Sequence, residues 1–402
     1  MAIKNVNGIH DKSVVVSTSG NIYNVGQDAL VVASGNDDSA DGVGAIYERN
    51  PAPVGRNTFN IDGRVVGYVT GIETFGNHDH INIGANGEVS ADHAVLIHGD
   101  DTTLSNRGNI VSADGYGILY DAKDVQVHNY GAIKAALGIF GSSTDGATVT
   151  NEASGRIYGA LIGVGVFPSA TSDTFVNHGV VRTEAGQTAY SGNMNNDTVV
   201  NDGVLRGSIL LGDGQDMIDT RGGVITGSIV GGNGDDILVT DSANYKLVED
   251  VDGGRDTVKS TVSYTLSANV EVLKLIGSAN IDGTGGIADD SLVGNAGNNN
   301  LAGGSGFDVL FGGKGNDVMS GGSDSDRFHF ATGGGHDTIT DFAQMEDRVD
   351  LSAWLGVNSF TEVMDHAHDQ NDGVLIRAGQ DSLLILGLSK AELTNSDFVF
   401  VT

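Results

Sequence analysis

Between Gly20 and Gly223 the chain repeats one short pattern: a polar residue or Asn, then Gly-x-(Ile/Val/Leu). Its glycines are Gly20, Gly44, Gly63, Gly87, Gly108, Gly131, Gly155, Gly179, Gly203 and Gly223, with steps of 19–24 residues. Clear copies read Asn106-Arg-Gly-Asn-Ile110, Asn129-Tyr-Gly-Ala-Ile133, Asn177-His-Gly-Val-Val181 and Asn201-Asp-Gly-Val-Leu205. An alternating run such as Val125-Gln-Val127 or Thr148-Val-Thr150 precedes each, and a second apolar run such as Gly138-Ile-Phe140 follows. Three short strands per repeat, with Gly or Asn at the corners, predict one coil of a parallel β-solenoid. Gly and Asn accept a left-handed backbone at corners, and stacked coils can ladder their Asn side chains inside. An antiparallel sandwich also spaces short strands regularly. Ten repeats at nearly one period favour the solenoid.

The second half alternates differently. Gly-Gly-x-Gly-x-Asp-x-(apolar)-x occurs in full as Gly231-Gly232-Asn233-Gly234-Asp235-Asp236, Gly303-Gly304-Ser305-Gly306-Phe307-Asp308 and Gly312-Gly313-Lys314-Gly315-Asn316-Asp317, each with its apolar tail. Imperfect copies flank these: Gly285 to Val293 with Ala288 at the fourth position, Gly294 to Ala302 with Asn299 for Asp, and Gly321-Gly322 to His329 with Asp324 for Gly. Asp290, Asn299, Asp308, Asp317 and Asp326 therefore step by nine. Looser versions surround Asp216, Asp256 and Asp337. Gly207-Ser-Ile-Leu-Leu-Gly-Asp-Gly-Gln-Asp216 and Gly227-Ser-Ile-Val-Gly-Gly-Asn-Gly-Asp-Asp236 carry the same pattern twenty residues apart. These hybrid coils suggest one uninterrupted solenoid that acquires acidic turns along its length.

Composition narrows the chemistry. Of 402 residues, 61 are Gly and only 3 are Pro; the acids number 42 Asp and 10 Glu against 21 Lys and Arg, for a net charge of −31. Asp favours turns whereas Glu favours helices, so a helix-rich enzyme is excluded. That charge repels nucleic acid and anionic lipid, and no apolar run is long enough to span a bilayer. The chain has no Cys, hence no disulfide or thiolate chemistry. Met1 to His10 lacks a signal-peptide core, so the Sec route is not expected.

One Asp per glycine-rich turn is calcium chemistry. Ca²⁺ takes six to eight oxygens at ~2.3–2.6 Å from carboxylates and carbonyls. Glycines let a turn direct its carbonyls inward, and stacked carboxylates without a cation would repel one another. These turns resemble the RTX nonapeptide family, secreted bacterial proteins whose repeats form a calcium-loaded parallel β-roll. The resemblance covers roughly residues 199–402. Asp256 to Asn299 looks like the linker that precedes such rolls. Gly335-His-Asp-Thr-Ile-Thr-Asp-Phe342 and Asp347-Arg-Val-Asp-Leu-Ser352 look like the C-terminal part of serralysin-type modules. The first half is similar to adhesin-like solenoids.

The family implies an 18-residue coil with ions between Asp290 and Asp308, Asn299 and Asp317, and Asp308 and Asp326, the Asn299 site being the weaker. It also implies type I secretion, because Asp397-Phe-Val-Phe-Val-Thr402 resembles an uncleaved C-terminal signal. The bland reading of that segment is a terminal strand. Ser359-Phe-Thr-Glu362 and Ser389-Lys-Ala-Glu392 fit capping boxes of two short helices.

Enzymatic alternatives lack support. His-Glu-x-x-His, the Gly-x-Ser-x-Gly elbow and the phosphate loop are all missing. His78-Asp-His80, with Glu73 and Tyr68, is the nearest candidate for a lyase or epimerase cluster, and a solvated turn explains it more simply. Asp365-His-Ala-His-Asp369 offers two imidazoles that would not face each other on a helix.

The expected fold is all-β: a right-handed parallel β-solenoid over 1–198, hybrid coils and linker over 199–284, a calcium β-roll over 285–342, and a small helical cap with secretion signal over 343–402. The expected function is that of a secreted, calcium-dependent structural protein of the cell surface or extracellular matrix. Its expected partners are copies of itself, joined head to tail in filaments or a layer, the type I secretion machinery, and cell-surface polysaccharide. An adhesin is the binding-class rival, and a uronan epimerase or lyase the enzyme-class rival.

Overall fold

A computed structural model describes residues 2–10, 14–16, 20–32, 44–48, 55–142, 146–166 and 172–400. The chain divides into two compact units, Met1–Gly232 and Asn233–Thr402.

The first unit is a parallel β-solenoid. One sheet stacks Ile3–Val6, Ile22–Val25, Thr58–Ile61, His80–Ile83, Thr103–Asn106, Gln126–Asn129, Thr148–Asn151, Thr174–Asn177, Thr198–Asn201 and Met217–Asp219, all in parallel. A second parallel sheet faces it, with strands such as Arg64–Val66, Glu88–Ser90, Asn109–Val111 and Val180–Thr183. Their in–out alternation puts one apolar column of each sheet inside. Phe59, Ile81, Leu104, Val127, Val149, Phe175, Val199 and Ile218 pack opposite Val65, Val89, Ile110, Ile133, Ile157, Val181 and Leu205, all buried. Each such side chain contributes ~1.5–3 kcal/mol by leaving water.

Polar rungs fix the register. Asn106, Asn129, Asn151, Asn177 and Asn201 are fully buried, and each Nδ2 donates to Oδ1 of the next at 2.7–2.8 Å. The Asn ladder read from the repeats is thus present.

The repeat glycines serve a different purpose from the one expected. Gly108, Gly131, Gly179 and Gly203 do not have positive φ. Each instead stacks directly on the corner before it: a Cβ on Gly131 would lie 2.2 Å from the Gly108 carbonyl oxygen, and one on Gly203 2.3 Å from that of Gly179. Close backbone approach, not handedness, selects glycine here. The phase of the repeat also shifts near its start. Ile22 pairs with Thr58, so that coil is 36 residues long. Its corner partner for Gly63 is Gly26, whereas Gly44 begins a strand, Gly44–Glu48, in the second sheet.

The second unit is also a parallel solenoid. One sheet runs through Ile237–Thr240, Thr257–Ser260, Val272–Leu275, Ser291–Val293, Val309–Phe311, Arg327–Ala331, Arg348–Ala353 and Phe398–Val399. The other runs through Tyr264–Thr265, Gly283–Thr284, Asn300–Ser305, Val318–Ser323, His336–Ile339 and Asp381–Leu386. Leu292, Leu310 and Phe328 pair at 18-residue intervals, as do Leu301 and Met319, which confirms the short coil.

The cap contains one α-helix, Phe360–His366, whose N-cap Ser359 accepts the Glu362 N–H at 3.3 Å. The second box forms only a 3₁₀ turn, Lys390–Glu392, in which Glu392 Oε2 accepts the Ser389 N–H at 2.8 Å. An antiparallel hairpin, Gly373–Ala378 with Asp381–Leu386, closes the second sheet. Phe398–Val399 is a terminal strand; residues 401–402 lie outside the described residues.

Candidate calcium turns

The acidic turns follow strands of both sheets in alternation: Gly312 comes after Val309–Phe311 of the first sheet, while Gly303 and Gly321 are the last inward-facing residues of Asn300–Ser305 and Val318–Ser323 in the second. The backbone then passes through positive φ at the second and fourth positions: Gly304 at 122° and Gly306 at 112°, Gly313 at 97° and Gly315 at 120°. Asp324, at the fourth position of the next repeat, has φ of 79°. Asp is among the few residues that tolerate this region. Lys314 points outward, so it can offer an ion only its backbone; Ser305 is half-buried.

The turn ends on a buried carboxylate, and these form two columns. In one, the N–H of Asp290 donates to Oδ1 of Asp308 at 2.8 Å, that of Asp308 to Asp326 at 2.9 Å, and that of Asp326 to Asp347 at 2.9 Å. In the other, the N–H of Asn299 donates to Oδ1 of Asp317 at 2.8 Å, and that of Asp317 to Asp337 at 2.9 Å. Asp236 and Asp256 repeat the arrangement at 2.8 Å.

Oδ2 of Asp290 and Asp347 accepts the N–H of Gly286 or Ala343, but in four other carboxylates one oxygen caps the coil before and the second is left over. Oδ2 of Asp256, Asp308, Asp317 and Asp326 is buried without a hydrogen-bond partner. This second oxygen faces the first glycine of its own turn. A Cβ on Gly303, Gly312 or Gly321 would lie 2.2, 2.3 or 2.1 Å from Oδ2 of Asp308, Asp317 or Asp326. Carbonyls bound the same space: the Gly321 oxygen is 2.6 Å from the point a Gly303 Cβ would occupy, and the Gly303 oxygen is 2.2 Å from that of Gly285. Buried carboxylate and carbonyl oxygens with no donor among them suit a hard cation.

Electrostatics agree. Burial pushes the carboxyls of Asp290, Asp308 and Asp317 up to about 6, and those of Asp326 and Asp337 up to about 7. N–H donation from the preceding coil opposes the shift at Asp308, Asp317, Asp326 and Asp337, while neighbouring carboxylates such as Asp290 beside Asp308 add to it.

The Asn299 turn is arranged differently. Its Oδ1 accepts the Asn295 N–H at 2.9 Å, and its Nδ2 donates to the Ile281 carbonyl and to Asn295 Oδ1. Among the remaining expected residues, Asp216 is buried and accepts the Asp197 N–H at 2.6 Å. Gly231 is buried, Asn233 is exposed, and Gly234 has φ of 120°.

The first unit carries an acidic column of its own, upstream of the nonapeptide pattern. The N–H of Asp173 donates to Asp197 Oδ1 at 3.0 Å, and both residues are buried. Gly192 to Asp197 preserves the Gly-to-Asp spacing of Gly303 to Asp308, and a Gly192 Cβ would lie 2.7 Å from Asp197 Oδ2. That spacing was the available signal. Here the protein supplies donors itself: the Asn193 N–H at 3.2 Å and the Tyr190 hydroxyl at 3.3 Å both reach Asp197 Oδ2. Asp347 was missed because its turn lacks the glycines.

The cluster around His78 is used structurally. Asp79 is fully buried and accepts the Asn57 N–H at 2.8 Å, while His78 reaches Asp101 at 3.4 Å. Glu73 instead flanks His98, 3.3 Å away, with Asp121 on the other side. Burial pushes the His98 imidazole down, but these two carboxylates prevail and hold it at about 9. Tyr68 is exposed. His366 ends the cap helix and bonds the Glu362 carbonyl, whereas His368 lies on a strand.

A family model described as RTX calcium-binding nonapeptide repeat, in four copies, matches residues 228–246, 284–306 and 293–328. The turns within those residues fit the RTX nonapeptide pattern. They include the complete nonapeptides at Gly231, Gly303 and Gly312, and the carboxylate columns run through them. No curated protein matches the chain. Among solved structures, the extracellular lipase LipA from Serratia marcescens is similar at 19% identity with a TM-score of 0.21. The match covers 57% of this chain and 45% of the lipase, so the chain spans less than half the lipase's length.

Proposed function

We propose that the protein is a secreted, calcium-dependent structural solenoid that folds its acidic half outside the cell and associates head to tail. The observation that carries this reading is the row of buried, unpartnered Oδ2 atoms on Asp308, Asp317 and Asp326. Each lacks the one thing a divalent cation supplies. Ion binding then adds directly to folding free energy and grows with calcium concentration. Cytosolic calcium is scarce and external calcium plentiful, so the chain passes an exporter unfolded and folds on arrival. A structural role is favoured over catalysis because the richest His/acid cluster is occupied in bracing coils. Calcium also reduces the repulsion between copies that each carry −31.

The test is circular dichroism and light scattering of the purified chain in millimolar calcium and in excess chelator. Chelation is expected to remove strand signal and lower the melting temperature. Unchanged spectra and melting in chelator overturn the calcium reading. A protein that stays monomeric at high concentration in calcium overturns the association, and an adhesin becomes the better reading.

A further inference from the structure

The coil after the Gly231 nonapeptide contains a carboxylate where its neighbours have glycine. In the turns ending at Asp308 and Asp326, the last inward residue of the second-sheet strand is Gly303 or Gly321, preceded by buried Leu301 or Met319 two positions back. The strand Leu247–Val248 has the same rhythm: Leu247 buried, Val248 exposed, then Glu249 buried. Glu249 thus occupies the place of the first glycine. Gly303 lies five residues before its Asp; Glu249 lies seven before Asp256, and the longer loop makes room for the side chain.

Three acidic side chains converge there. One carboxylate oxygen from each of Asp236, Glu249 and Asp256 lies within 4.8 Å of the others, and all three residues are buried. That separation fits inside a calcium oxygen shell, whose diameter is about 4.8 Å for ~2.4 Å bonds. Asp256 provides the second observation. It is fully buried; its Oδ1 accepts the Asp236 N–H at 2.8 Å, and its Oδ2 has no partner. Glu271 is no source of relief, since it is a further carboxylate, with Oε2 bound to the Asp256 N–H at 2.9 Å. The nearby Lys246 ammonium is committed to the Thr265 carbonyl at 2.6 Å and lies over the Tyr264 ring.

We infer that Asp236, Glu249 and Asp256 form a three-carboxylate calcium site, distinct from the glycine-cradled turns, that binds its ion more tightly than they do. Ligand charge is a main determinant of calcium affinity. In the glycine-cradled turns the Asp carboxylates are supplemented by carbonyls; this site replaces a glycine with an anion. It fills at the lowest calcium concentration and orders the first coil of the second unit.

This inference rests on the calcium reading above, and the experiment separates the two. Calcium binding to the full chain is measured by titration calorimetry in chelator-buffered calcium for the wild type, Glu249→Gln and Asp317→Asn. The wild type is expected to show a tight class and a weaker class of sites. Glu249→Gln should weaken the tight class at least tenfold and leave the weaker class in place; Asp317→Asn should do the reverse. If the Glu249→Gln isotherm superimposes on that of the wild type while calcium still binds, the inference falls and the calcium reading stands. If no variant binds calcium, both fall. Should Glu249→Gln fail to fold, Glu249→Asp retains the charge with a shorter reach. That variant should hold the tight ion with reduced affinity, and full affinity would overturn the inference.

Discussion

The backbone N–H of Asp308 donates to Oδ1 of Asp326, one coil further on, at 2.9 Å. Asp308, Asp317 and Asp326 therefore have two tasks on two different atoms: Oδ1 holds the preceding coil in register, and the unpartnered Oδ2 faces the space proposed for an ion. Because an amide oxygen can perform the first task but brings no charge to the second, the two can be separated by mutation.

Asp317→Asn retains an acceptor for the Asn299 N–H and removes the charge. The folded state in saturating calcium should survive. The calcium concentration at the folding midpoint should rise about tenfold, equivalent to ~1.4 kcal/mol. Circular dichroism against buffered free calcium measures this, and an unchanged midpoint contradicts the assignment of Asp317.

Two adjacent glycines should behave oppositely. A Cβ on Gly285 would lie 2.2 Å from the Gly303 carbonyl oxygen and 2.6 Å from Asp290 Oδ2, whereas on Gly286 the nearest atom is Asp290 Oδ2 at 3.6 Å. Gly285→Ala should cost about 1–3 kcal/mol, and Gly286→Ala should stay within ~0.5 kcal/mol. Denaturant unfolding in calcium distinguishes them.

Acid should stabilise the ion-free protein. Asp308 and Asp317 are pushed up to about 6, and Asp326 and Asp337 up to about 7. Between pH ~4 and these values the folded chain holds more protons than the unfolded chain, so its stability falls as pH rises through that window. In chelator the melting temperature should be higher at pH 5 than at pH 8. In millimolar calcium the order should reverse, because the ion binds deprotonated carboxylates. Scanning calorimetry under the four conditions decides the point, and greater ion-free stability at pH 8 contradicts the shifts.

The Asn ladder should be indifferent to calcium. Asn151→Ala removes the acceptor for Asn129 Nδ2 and the donor to Asn177 Oδ1, leaving both partners buried. A loss of about 2–4 kcal/mol is expected, since each stranded polar group costs ~1–3 kcal/mol. Unfolding of the first unit, followed by hydrogen exchange, should show the same loss in calcium and in chelator.

What could be read from the residues was whatever geometry restricts to one residue type. Gly303, Gly304, Gly306 and Asp308 are each required by a clash, a positive φ or a charge, so the turns and their nine-residue spacing were legible, while the 18-residue coil was implied by the family resemblance. The buried Asn column was legible for the same reason. Gly44 was misleading because Ile22 pairs with Thr58, 36 residues on, and extra length between strands leaves the strand pattern itself intact. The corner glycines were recognised for the wrong reason, since stacking against a neighbouring carbonyl is not visible in one coil alone. Asp173 and Asp197 went unnoticed because a protein donor, Asn193, occupies the space that the other glycines of a nonapeptide would shape. Glu249 escaped because the longer loop displaces it by two positions from the glycine it replaces.

The rungs from Asn106 to Asn201 all point one way, each amide nitrogen donating toward the later coil. Five side-chain dipoles are therefore aligned in series along the stacking direction, and hydrogen bonds in such a chain polarise one another. The column behaves like the axis of a helix, partly negative at Asn106 and partly positive at Asn201. A stack of coils made of uncharged amides thus has electrically unlike ends. Reversing a coil would set like poles against each other, so the ladder encodes direction as well as register.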